Sequence, residues 1–178
     1  MLAKLSRKKE RNISSHNGNS NFLNEVVLPL NGENNKAILM VVIVTFGSLL
    51  PFVTKAFNID EPLFLWAARH IQSNPLDFYG FKVNWYGFEM DMFSVAKNPP
   101  LVSYYIALIT GLFGWKETVL RLFFLIPAMG LSLGTYFLAR SFCSSPHFAA
   151  ILTVFSPVFL ISSTSVMTDT MMLAFYVW

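Results

Sequence analysis

Cysteine is almost missing: the 178 residues contain one, Cys143, so no disulfide can form within the chain. Charge is scarce as well. Asp, Glu, Lys and Arg make up 13% of the residues, against roughly a quarter in soluble domains. There is no C-x-x-C or H-E-x-x-H pattern and no glycine-rich phosphate loop, which argues against a soluble nucleotide-handling or zinc enzyme. What is abundant is apolar. The chain is 54% hydrophobic and 16% aromatic, the composition of an integral membrane protein.

Residues 1–36 are polar, rich in Asn and Ser, and include the basic cluster "KLSRKKER". With few apolar side chains to offset ordering entropy, they read as a disordered basic tail. The run "AILMVVIVTFGSLLPFVT" (37–54) holds no charge and is long enough to cross a ~30 Å hydrocarbon core. It starts late and no small-residue cleavage site follows, so it reads as a first span and not as a leader. "TVLRLFFLIPAMGLSLGTYFLA" (118–139) is a second span despite Arg121 and Pro127. "FAAILTVFSPVFLISS" (148–163) is a shorter third, tilted or kinked at its proline. Residues 164–178 begin a further apolar helix. The apolar run from Thr170 to Trp178 rises only ~14 Å as a helix, so the sequence reads as a fragment of a longer polytopic protein.

The positive-inside rule puts the basic tail in the cytoplasm and the 55–117 loop outside. Within that loop, residues 62–72 show apolar positions at helical spacing and Trp66 at a headgroup-like position, so they read as a surface helix. The segment 99–113 is apolar but short, and its length fits either a span or an interfacial helix. If it spans, Asp169 lies opposite Asp60. If it lies in the interface, 140–147 is a cytoplasmic loop and Asp169 returns to the Asp60 face. The second arrangement is the preferred one. The expected fold is therefore all-α, with transmembrane helices and a large first extracytoplasmic loop carrying juxtamembrane helices.

Asp60 and Glu61 follow the first span. Pro62 suits the first turn of the next helix, so one acid can serve as its N-cap, worth ~1 kcal/mol. Capping gains little from two acids. A carboxylate at the membrane boundary can also act as a general base on an acceptor hydroxyl. Arg121 can snorkel from a helix end or bind an anion. Asp169 can cap the last helix, or serve as a functional acid beside an apolar run.

"DE" after the first span, then "NPPLVSYY" and "LFGWKETVLRL" in that order, resemble the GT-C fold membrane glycosyltransferases. The nearest families are the protein O-mannosyltransferases and the aminoarabinose transferases that modify lipid A. The resemblance covers about residues 37–178. It implies a polyprenyl-phosphate-linked sugar as donor, an acceptor protein, lipid or glycan, membrane lipids around the chain, and no nucleic acid. It implies a multi-pass protein of a bacterial or archaeal plasma membrane with a cytoplasmic N-terminus.

Carried over by position, the resemblance makes Asp60 the base of an inverting displacement, Glu61 its partner and Asp169 a second acid. Arg121, Lys97 and Lys116 are the candidate cations for the donor phosphate. Asn98, Glu117 and Tyr105 are supporting residues. The aminoarabinose transferases carry Glu-Lys before their proline, where this chain has Lys97-Asn98, so their kind of bound zinc is not expected. Glu89 and Asp91 of "EMD" read first as part of a solvated loop, with a divalent metal ion as the alternative. The rival from another class is a non-catalytic transporter or assembly subunit, in which Asp60 and Glu61 only cap a helix.

Overall fold

The computed structural model describes residues 32–178. Most of the basic tail lies outside the described residues. Residues 32–36, assigned to that tail from their polarity, instead form the first turns of α1, Gly32–Leu49, which a single 3-10 turn extends through Leu50–Phe52. After it come α2 (Glu61–Ser73), β1 (Lys82–Asn84), β2 (Glu89–Asp91), the short α3 (Met92–Val95) and α4 (Leu101–Phe113). The chain finishes with α5 (Glu117–Ala139), α6 (Pro146–Val154), α7 (Pro157–Ser163) and α8 (Thr168–Val177).

The fold is mainly helical, and among the described residues Asn34–Phe52 and Glu117–Ala139 are long and apolar enough to cross a membrane. α6 and α7 bend by 61° where Pro157 interrupts the ladder, and together they amount to a third such length. Ser156 caps the break: its Oγ accepts from Phe159 N at 3.2 Å and donates to Thr153 O at 2.8 Å. α5 is the centre of the bundle. Half of its apolar window is buried, against 17% for α1.

The packing gives the direction of each pass. Val41 of α1 meets Tyr136 near the far end of α5 and Ala150 of α6. Leu49 and Val53 meet Leu125, Ala128 and Leu131. α1 therefore runs antiparallel to α5, and α6–α7 return along it to the Arg121 end. α8 turns back from there, its Met171 in one cluster with Leu120 and Phe124. Pro127 lies inside α5 and, lacking an N–H, frees the carbonyl four residues earlier. That carbonyl belongs to Phe123, and Tyr105 of α4 donates its hydroxyl to it at 2.8 Å. The expected helix breaker is thus accommodated by a partner from another element.

Residues 74–96 build a small lobe on α2. Its two-stranded antiparallel hairpin, unanticipated from the residues, pairs Lys82 with Asp91, Val83 with Met90 and Asn84 with Glu89. Gly87 supplies the positive φ of +90° in the turn. Val83, Met92 and Ala96 bury against Ala67 and Tyr79. Tyr79 is lodged in this core, where burial raises its pKa, and its hydroxyl donates to Asn98 O at 2.9 Å. α4 clamps α2 through Gln72, which donates to Ala107 O and to Thr110 Oγ1, each at 2.9 Å.

Candidate active site

The two adjacent acids have opposite surroundings. Glu61 is the first residue of α2 and shares a face with Phe64, Ala68 and Ile71, so helical periodicity turns it inward. It is fully buried. A buried carboxylate needs a cation and donors, and Arg121 supplies the cation: its Nη2 lies 3.2 Å from Glu61 Oε2. Val166 N donates to Glu61 Oε1 at 3.1 Å.

Arg121 is 4% exposed and its guanidinium is enclosed by acceptors. Nε donates to Lys55 O at 2.7 Å, Nη2 to Ala56 O at 2.8 Å, and Nη1 to Thr164 O. The guanidinium carbon stands 5.6 Å from the centroid of the Phe57 ring. This pair ties together the loop after α1, the start of α2, the first turns of α5 and the loop before α8.

Asp60 occupies the N-cap position of α2, yet its side chain makes no capping hydrogen bond. The capping expectation is not met, because φ −89°, ψ −17° leaves Asp60 in helical geometry instead of the extended conformation usual for a cap. Its carboxylate is exposed. Asp169 is also exposed, in the first turn of α8, where an acid favours the helix dipole. It is not the N-cap, a position held by Met167. The Glu61–Val166 bond restricts where these acids can be. One peptide, one glutamate side chain and three residues of chain keep the Asp60 and Asp169 Cα atoms within about 25 Å, short of a ~30 Å hydrocarbon core.

Residues 97–178 match the family model described as dolichyl-phosphate-mannose-protein mannosyltransferase. The match, over a little less than half of the chain, supports a GT-C-like mannosyltransferase fragment. The match indicates a glycosyltransferase of the GT-C type, and the long apolar helices support an integral membrane location. No curated protein and no solved structure matches the chain. The GT-C match takes in Arg121 and Asp169 and stops short of Asp60 and Glu61, which join it through the buried ion pair.

The remaining predicted residues do not converge in one constellation. Lys97, Asn98, Lys116 and Glu117 are exposed, with Lys116 at the N-cap of α5 and Glu117 in its first turn. Tyr105 is half-buried and bonded to α5. Among the described residues no three His, Cys, Asp or Glu side chains cluster as metal ligands. Glu89 and Asp91 stand exposed on β2, across from Asn84 and Lys82. Sequence reasoning missed the carbonyls of Lys55, Ala56 and Thr164 and the amide of Val166, since main-chain groups carry no residue signature.

Proposed function

We propose that the enzyme transfers a sugar from a polyprenyl-phosphate carrier to an acceptor at the extracytoplasmic face of a bacterial or archaeal plasma membrane. The N-terminus is cytoplasmic, and the Arg121 end of α5 faces out. Asp60 is the general base. It takes the acceptor hydroxyl proton as the acceptor oxygen bonds to the anomeric carbon from the side opposite the phosphate. The carbon–oxygen bond to the phosphate breaks, its electron pair leaves with the phosphate, and the configuration inverts. Charge gathers on that leaving group, where cations stabilise the transition state. Lys97 and Lys116 are exposed and available for this task.

Arg121 and Glu61 take a different part from the phosphate-binding and catalytic ones suggested by position. A guanidinium already surrounded by three carbonyls and a carboxylate has little left for a phosphate. The pair is a positioning device that fixes the Asp60 loop against the matched segment.

The observation that carries this reading is the Glu61–Arg121–Val166 connection, which draws the Asp60 loop and the α8 start to one end of α5. It also speaks against the transporter reading, which wants Asp169 away from the Asp60 face or deep in the core. The test is sugar transfer by the full-length protein from a polyprenyl-phosphate donor. Asp60→Asn should abolish transfer while expression persists, and wild-type-like transfer by that variant overturns the general-base role.

A further inference from the structure

α2 and the hairpin lobe border an open cleft of about 520 Å³ lined by Trp66, Arg69, His70, Phe81, Lys82 and Asn84. None of these residues takes part in the transfer step above. The volume is that of a small-ligand site, and the lining combines an aromatic wall with unneutralised positive charge. His70 stacks on Phe81 at 4.8 Å, and Trp66 meets Trp85 edge-on at 6.1 Å, so the rings are held in place. Arg69 and Lys82 are exposed, and neither has an ion-pair partner among the described residues. Asp91 is the cross-strand neighbour of Lys82, but no ion pair closes between them. The acid close to this wall is Asp77, at 3.7 Å from His70 Nε2. That nitrogen is buried and makes no hydrogen bond to another residue.

We propose that this cleft binds an anionic carbohydrate, a sugar ring bearing a carboxylate or a phosphate, and that this sugar is part of the acceptor. The apolar face of a sugar ring packs on the exposed indole of Trp66. Arg69 and Lys82 take the anionic group through charge-assisted bonds. The Asn84 amide can both donate to and accept from hydroxyls. Trp66 and Arg69 lie about 9 and 14 Å along the α2 axis from Asp60, within reach of a short saccharide whose free hydroxyl meets the base. The acceptor assignment rests on the transferase reading, whereas the binding does not.

The test is calorimetric titration of the full chain in detergent with glucuronic acid, glucose 6-phosphate, glucose and inorganic phosphate. At least one charged sugar should bind saturably, with glucose and phosphate about tenfold weaker or more. Arg69→Ala and Lys82→Ala should each weaken the charged sugar about tenfold with unchanged melting, since both side chains are exposed. No saturable binding of either charged sugar overturns the proposal. So does phosphate binding as tightly as glucose 6-phosphate, which marks a plain anion site. Insensitivity to both substitutions overturns it as well. Asp60→Asn should keep this binding while losing transfer. If that variant still transfers, the base reading fails and the cleft stands. If Arg69→Ala leaves the acceptor KM unchanged, the acceptor assignment fails and the base reading stands.

Discussion

Arg121 and Arg69 stand in opposite settings. Arg121 is buried, paired with Glu61 and enclosed by the carbonyls of Lys55, Ala56 and Thr164. Arg69 stands exposed on α2 beside an open cleft, without an ion partner among the described residues. A charge removed from water is costly unless every donor finds an acceptor, so a fully satisfied charge fixes structure. A charge left unsatisfied at a cleft rim is free to meet a ligand. The same contrast separates the adjacent acids, with Glu61 consumed by the fold and Asp60 exposed.

The sharpest way to break that contrast is at the buried pair. Arg121→Ala should destabilise the full chain by roughly 3–5 kcal/mol, because it strands a buried carboxylate and three carbonyls. Glu61→Ala should act similarly, and the double substitution should cost less than the two singles added, as expected for groups in contact. Thermal melting in detergent measures this, and an Arg121→Ala variant that melts like the wild type rejects the positioning role. Asp60→Asn gives the converse pattern: transfer falls by about 10²–10⁴, the usual contribution of a general base, while melting is unchanged. Loss of folding in that variant would instead make Asp60 a structural residue like its neighbour.

α1 and α5 were legible because long uncharged runs have few alternatives to a helix in a membrane. The break at Pro157 was legible in the same way, since "SP" offers a cap and removes a donor together. The burial of Glu61 could have been read from its spacing to Phe64, Ala68 and Ile71, which repeats on one helical face. Its partner could not, because Arg121 is distant in sequence and an intramembrane arginine announces only that some partner exists. The hairpin escaped because strands this short, three residues each, carry almost no alternation.

A smaller effect is expected where α4 meets α5. Tyr105→Phe removes the only hydroxyl bonded to Phe123 O among the described residues, leaving a carbonyl without its donor at a cost of about 1–3 kcal/mol. The cause is Pro127, so restoring an N–H with Pro127→Ala should reduce the cost of Tyr105→Phe in the double variant. Equal costs with and without Pro127 would mean that the hydroxyl is not compensating for the proline.

The smallest effect belongs to the lobe. Tyr79→Phe removes one hydrogen bond to Asn98 O and should cost about 1 kcal/mol at neutral pH. Its pH dependence is more telling. Burial raises the Tyr79 pKa, so folding favours the neutral phenol. The stabilisation from that preference is fully present below the ordinary tyrosine value of about 10 and is lost as pH rises through the higher folded value. Wild-type lobe stability should therefore fall more steeply than that of Tyr79→Phe above about pH 10. Tryptophan fluorescence during melting, with Trp85 in the lobe and Trp66 packed edge-on against it from α2, reports on this. Parallel curves for the two proteins would show that Tyr79 ionisation is not coupled to the lobe, and that the Asn98 loop is held by packing of Met92 and Ala96 alone.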